Sequence, residues 1–452
     1  MPFVPHTQED ERLMLEAIGV SSINALFDEI PDVLRSGVLQ NTPEAITEME
    51  LLRLMSARAK QDEVNLSFLG AGAYQHHIPA AVWDLVGRGE FLTAYTPYQA
   101  EASQGTLQVI YEFQSMIAGL TAMDVSNASV YDGGSALAEA ILMAVRANKT
   151  SKSRRILCSG ALNPRYLSAA RNIVRNQGIE IELVDYADDT GTLAQSALDP
   201  FSGDDIAALV VSLPNFFGCI EAVDELTDWA HQQGALMIGV VNPTSLGLLT
   251  PPGEWGETGA DIVVGEGQPL GIPVASGGPY LGFMCCRKSL VRQMPGRIIG
   301  KTVDLDGRTG YALTLQAREQ HIRRAKATSN ICTNQGLLVT AATIYMSLMG
   351  NEGLRSVAIA CHNGTMALLE AVGNIPGVKR RFSAPVFHEV VLELPVPASR
   401  VLDELAQQGI LGGYDLAGVG LDHCLLANVT EVHTQGDLEA FAAILRSAVE
   451  DA

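Results

Sequence analysis

The chain has 452 residues, beyond the size at which one hydrophobic core stops growing, so two or three lobes are expected. Apolar residues make up 47% and charged residues 18%, which excludes a disordered chain, and no apolar run approaches the roughly 20 residues of a membrane span. A net charge of -21 argues against a nucleic-acid or anionic-membrane partner. The N-terminus, MPFVPHTQEDERLMLEAIG, turns acidic before any apolar core develops. It reads neither as a secretory signal nor as an arginine-rich transit peptide, so a cytoplasmic protein is expected. Seven cysteines without a C-x-x-C pair fit buried free thiols in a reducing compartment. Thr7 followed by Asp10 marks a helix start, and residues 21–26 and 49–60 continue as short helices. Residues 1–62, lacking strand signals, are expected to form a helical arm that packs on the body or on a partner subunit.

From Leu66 the composition shifts to glycine, tyrosine and histidine. Gly70, Gly72 and Tyr74 imply a loop, and His76-His77 lacks further ligands at metal spacing, so no metal site is expected. Tyr95-Thr96-Pro97-Tyr98-Gln99 reads by itself as a proline turn with two half-buried tyrosines. Ser103 or Gln104 then caps a helix with the stripe Leu107, Ile110, Ile117 and Leu120. Residues 127–131 read as a short strand leading into Gly133-Gly134-Ser135 and a helix over 136–147. Small residues before a helix leave backbone N–H groups at its positive end, an anion cradle in outline.

Strands expected at 155–158, 179–184, 207–213, 235–241 and 261–264 alternate with helices at 164–176 and 225–233. Alternation of this kind means an α/β fold with a doubly wound, mostly parallel sheet, whose ligands lie beyond the carboxyl ends of its strands. The last of these strands breaks into GEGQPLGIP. One enzyme class carries there a lysine that forms a Schiff base with pyridoxal phosphate; this chain has Gln268 or Pro269, and no lysine between Lys152 and Lys288. Asn242-Pro243-Thr244-Ser245 stands where such enzymes place an aspartate against the pyridinium nitrogen, so a second anchor is also missing.

Gly300-Lys301-Thr302 is no phosphate loop, because position 295 is proline where that motif needs glycine. Residues 315–333 read as a basic helix running into Thr328-Ser329-Asn330; by default this is a solvated face with a helix cap, while the clustering of scarce cations beside hydroxyl and amide donors suits an anion or a carboxylate. An apolar helix over 337–349 leads to a last lobe of helices at 354–372, 398–407 and 436–449 and strands at 388–394 and 424–429. That lobe shows no constellation of reactive side chains and reads as structural.

FLGAGAYQHHIP, YTPYQAEASQG, NASVYDGGSALAEA, PNFFG, GEGQPLGIP and REQHIRRAKATSNICT together resemble the P-protein family of the glycine cleavage system, and within it subunit 1, the half without the cofactor lysine. The resemblance runs from Phe3-Val4-Pro5-His6-Thr7 into the C-terminal lobe. It implies a fold type I pyridoxal-phosphate transferase fold with a helical arm (1–62), a large α/β domain (63–335) and a small α+β domain (336–452). It implies a heterotetramer of two such chains with two lysine-bearing subunit 2 chains, in which pyridoxal phosphate is bound by the partner. Glycine is decarboxylated there and its aminomethyl group passes to the lipoyl arm of H-protein. By the same analogy Tyr95, Tyr98, Gln99, Thr328, Ser329 and Asn330 reach the partner's site, with Arg318, His321 and Arg323 holding a carboxylate or supporting the others. Gly133, Gly134, Ser135 and Gln268 become a vestigial cofactor loop. A purely structural or regulatory subunit is the alternative, and a self-sufficient decarboxylase using Lys288 or Lys326 a more distant one.

Overall fold

A computed structural model describes residues 6–35, 41–62, 64, 66–92, 95–275 and 277–450. Phe3, Val4 and Pro5 of the opening motif and the boundary residue Glu63 lie outside the described residues. The chain divides into two compact units, Met1–Glu63 and Val64–Ala452. In the first, α1 (Gln8–Ile18) starts at Thr7, whose hydroxyl accepts from the Asp10 N–H while the Asp10 carboxylate accepts from the Thr7 N–H. Helix α2 (Glu48–Ala59) starts the same way at Thr47 and Glu50, and neither helix buries a residue. The helix expected at 21–26 is a 3-10 turn, Ile23–Phe27, because the Ser22 hydroxyl accepts from the Ala25 N–H and closes a tighter ring.

The second unit is built on a seven-stranded sheet. Helix α3 (Gln104–Thr121) buries Leu107, Ile110, Phe113 and Ile117 and leads to the edge strand β1 (Val125–Ser126). The strand expected at 127–131 is therefore earlier and shorter. The Asn127 side chain accepts from the Ser129 N–H and donates to the Pro295 carbonyl, Ser129 sits at φ 103°, and only Val130 bridges back to the sheet. Then come α4 (Gly133–Ala147), β2 (Arg155–Ser159), α5 (Pro164–Val174), β3 (Glu180–Val184), β4 (Ala208–Leu213), α6 (Val223–Gln232), β5 (Leu236–Val241), β6 (Ile262–Glu266) and β7 (Gly282–Cys286). The spatial order is β1-β7-β6-β5-β4-β2-β3, with β6 to β3 all parallel and β7 and β1 antiparallel at one edge. Strands β4 and β6 are buried at every residue, as continuous apolar runs covered on both faces should be.

Gly300, Lys301 and Thr302 lie in β8 (Ile298–Val303), paired with β9 (Thr309–Thr314) in a hairpin. The basic run is not one helix. Leu315 and Arg324 take positive φ and cut it into three short turns, Gln316–Arg318, Gln320–Arg323 and Arg324–Lys326. The helices expected at 337–349 and 354–372 form one run, α7 (Gly336–Val372), bent where Gly350 leaves helical geometry. Beyond it lie β10 (Lys379–Arg380), β11 (Glu389–Glu393), α8 (Ala398–Gln407), β12 (Tyr414–Asp415), β13 (Cys424–Asn428) and α9 (Gln435–Glu450). The antiparallel sheet β10-β11-β13-β12 and the helices α8 and α9 close a separate apolar core.

Candidate functional site

Strands β4, β5 and β6 end together, and their carboxyl ends border a cavity of about 50 Å³. That volume holds a few waters, against the roughly 300 Å³ at which small-molecule pockets begin. The N-terminus of α4 is tied to this cavity through Glu266 and is already engaged. Asp132 accepts from the Ser135 N–H at 2.7 Å, and the Gly133 N–H donates to Glu266 Oε2 at 3.0 Å. The other oxygen, Glu266 Oε1, accepts from the N–H groups of Gln268 at 3.0 Å and Leu281 at 2.9 Å. The chain's own carboxylate thus sits where an anion would bind. Burial pushes the Glu266 carboxyl up to about 7 despite these three donors. Tyr166 covers the same place: a Cβ on Gly133 would lie 2.6 Å from its hydroxyl.

Gln268, only 1% exposed, is a structural knot. Its Oε1 accepts from the Tyr74 N–H at 2.8 Å, and its Nε2 donates to the carbonyls of Tyr74 at 2.9 Å and Ile272 at 2.7 Å. Asn242 is committed as well: Oδ1 accepts from the Thr244 N–H, and the amide nitrogen lies 3.0 Å from His388 Nε2. His388 is buried, which holds its pKa well below the ordinary histidine value. Pyridoxal phosphate needs an amine, an open anion cradle and a carboxylate at its ring nitrogen. The lining of this cavity offers no amine and no open cradle, and its two carboxylates, Glu266 and Glu389, are already engaged, so its residues do not fit the cofactor.

The small lobe is not inert, contrary to the sequence expectation. Glu389, the first residue of β11, reaches the cavity, where Oε1 accepts from the Ala71 N–H at 2.6 Å and Oε2 from the Tyr74 hydroxyl at 2.9 Å. Burial pushes this carboxyl, too, up to about 7. His76 also gains distant neighbours that local spacing did not reveal: its ligand atom and those of Cys361 and Glu431 lie within 4.8 Å of one another. They are bonded among themselves, His76 Nδ1 to Glu431 Oε2 at 2.7 Å and the Cys361 thiol to the same oxygen at 3.5 Å.

A second group of residues lies on the surface. Tyr95 is 86% and Tyr98 52% exposed, and Gln99 and Asn330 are exposed as well. Tyr98 stands between Arg297 and His321: Arg297 Nη2 donates to its hydroxyl at 3.3 Å, and the His321 ring meets it edge-on at 5.8 Å. Thr328 is tied by its N–H to the Arg318 carbonyl at 3.0 Å. The Ser329 hydroxyl turns inward and donates to the buried Glu139 at 2.8 Å. Arg318 folds inward onto the Gly296 carbonyl and stands 3.6 Å from Glu319, while the exposed Arg323 donates to the Ala317 carbonyl. The fold therefore gathers Tyr98 and His321 at one point, leaves Asn330 outward, and commits Ser329 and Arg318 elsewhere. Sequence reasoning missed Glu266, Glu389 and Arg297. The one legible hint was a glutamate ending an otherwise apolar strand.

The family described as glycine cleavage system P-protein matches residues 1–445. A protein of Alcanivorax borkumensis named "Probable glycine dehydrogenase (decarboxylating) subunit 1" is 62% identical, over 99% of this chain and 100% of its own. Among solved structures, a glycine decarboxylase (P-protein) of the glycine cleavage system in inhibitor-bound form has a TM-score of 0.90 and 39% identity, covering 99% of this chain and 100% of that one. A C-DES mutant with glycine covalently linked to the PLP cofactor matches at a TM-score of 0.62 and 16% identity, over 84% of this chain and 96% of its own, a likeness of fold alone.

Proposed function

This chain belongs to the P-protein family of the glycine cleavage system, and from that premise we propose that it is subunit 1 of glycine dehydrogenase, completing an active site whose cofactor is held by a second, lysine-bearing subunit. In that assembly glycine loses carbon dioxide and its aminomethyl group passes to the lipoyl arm of H-protein. Pyridoxal phosphate, bound to the partner, supplies the electron sink for the decarboxylation. This chain contributes residues that bind and orient. Tyr98 presents a hydroxyl from an exposed edge. Asn330 presents an amide, and Tyr95, Gln99 and Thr328 serve as further contacts to the partner. Ser329 fixes the segment through Glu139 rather than facing outward, and Arg318 and Arg323 hold its turns together. The observation that carries the reading is the contrast between a filled cavity and an exposed, arginine-backed tyrosine edge.

The arm, whose helices bury none of their own side chains, is the element we assign to contact within a tetramer of two such chains and two partners. Among the described residues no helix is long and apolar enough to cross a membrane, and we place the assembly in the cytoplasm. The test is glycine–bicarbonate exchange with lipoylated H-protein, measured for each subunit alone and for the mixture. Exchange is expected only in the mixture, and Tyr98→Phe and Asn330→Ala are each expected to slow it by about 10-fold, the worth of one hydrogen bond made in the transition state. Exchange by this chain alone would sink the proposal. Normal assembly with unchanged turnover in both variants would establish a purely structural subunit, the reading that the self-satisfied cavity favours.

A further inference from the structure

Arg297 is 3% exposed, and a guanidinium is costly to bury unless its charge is answered. Among the described residues it makes no ion pair. Glu319, whose carboxyl its charge stabilises, is held by Arg318 at 3.6 Å instead. Its Nε has no partner, and its two hydrogen bonds, Nη1 to Asn334 Oδ1 and Nη2 to the Tyr98 hydroxyl, are both 3.3 Å long. The guanidinium carbon also lies 5.4 Å from the centre of the Tyr98 ring. Asn334 does not depend on this arginine for its place, since its amide already donates to the Ala128 carbonyl at 3.1 Å. Nor does the backbone, which the Ala128 N–H ties to the Arg297 carbonyl at 2.8 Å whatever the side chain is. Among the described residues, the hydrogen-bond and ring contacts of the Tyr98 side chain are those with Arg297 and His321, so this half-exposed phenol is the group whose position rests on the buried charge.

We propose that Arg297 is a positioning residue for the reaction: it holds the Tyr98 phenol, through one hydrogen bond and its charge over the ring, in the place from which that hydroxyl enters the shared site. The proposal rests on the reading that Tyr98 serves the partner's active site, and a double-mutant cycle separates the two. Arg297→Met, Tyr98→Phe and the double variant are each assembled with the lysine-bearing subunit and assayed for glycine–bicarbonate exchange at varied glycine, with melting of each free chain recorded. Arg297→Met is expected to lower kcat about 10-fold and to be nearly silent when added to Tyr98→Phe, because the arginine acts only through the phenol. KM for glycine is expected to stay within about 2-fold, since no contact to bound substrate is removed. Arg297→Lys, which keeps a buried cation and a donor, recovers part of the loss and serves as the second variant should the methionine chain fail to fold; its deficit too vanishes in the Tyr98→Phe background. Losses that add in the double variant, or an Arg297→Met enzyme of unchanged kcat beside a slow Tyr98→Phe, would overturn the positioning role alone. A silent Tyr98→Phe would remove the reading beneath it and the proposal together.

Discussion

A lysine placed at position 268 is not expected to make this chain a pyridoxal enzyme. In Gln268→Lys the new ammonium reaches two carbonyls, of Tyr74 and Ile272, that the glutamine amide now serves, but it offers no acceptor to the Tyr74 N–H. That buried donor, left without a partner, costs about 1–3 kcal/mol, and a buried cation without a countercharge adds about 3–5 kcal/mol, so the total comes to about 4–8 kcal/mol. For a unit of this size the melting temperature falls by roughly 5–10 °C. Cofactor binding gains nothing in return. The cavity keeps its 50 Å³, Glu266 still occupies the α4 N-terminus, and Tyr166 still lies over Gly133. The assay is absorbance of the isolated variant with excess pyridoxal phosphate, then borohydride reduction and peptide mapping. No label is expected at position 268. Close to one equivalent of reduced adduct there would refute the reasoning, because it would mean that the cradle opens for a phosphate at little cost.

Glu389, with a folded pKa of about 7 against 4.5 unfolded, binds more protons in the fold, so its contribution to stability is full below about pH 4.5 and is lost as pH rises through 7. The slope is at most about 1.4 kcal/mol per pH unit. Glu389→Gln, which copies the protonated form, should therefore gain on the wild type in melting temperature between pH 5 and about 7.5; a difference that does not move with pH would refute the assignment. Taking that difference also removes His388, which burial keeps neutral and which acts in the opposite direction as pH falls. Gly218, at φ 79°, would place a Cβ 2.1 Å from the Glu389 carbonyl oxygen, backbone that cannot yield. Gly218→Ala should destabilise by more than about 4 kcal/mol and remove most soluble protein, a result checked by yield and chemical denaturation.

The sheet was legible because β4 and β6 are nearly continuous apolar runs, broken by Ser212 in β4 and ended by Gly265-Glu266 in β6, a pattern that physics allows in few places other than a covered parallel sheet. The expectation at Gln268 rests on a different kind of signal: a Schiff base tolerates no substitute for an amine, so the residue type alone sets it. What filled the site was not legible. Glu389 stands 123 positions beyond Glu266, and nothing in either neighbourhood says that both end at one cavity. The basic run at 315–326 misled because charge and spacing suit a helix, while Leu315 and Arg324 adopt positive φ only under tertiary contacts that no local propensity encodes. Arg297 gave no signal because its meaning is the missing partner around it, a property of the fold rather than of the string.

The two halves of the site explain each other. A helix N-terminus cannot stay buried and bare, since each unpaired N–H costs about 1–3 kcal/mol. Glu266 relieves that by placing a carboxylate on Gly133 and by taking two further N–H donors from the loop that follows β6. Once it does so, any incoming phosphate must expel a carboxylate that is already satisfied, and must do so next to a second buried acid, Glu389. The cavity is thus closed to an incoming anion from both sides, and the outer edge, where Tyr98 stands over a buried cation, is the part left exposed.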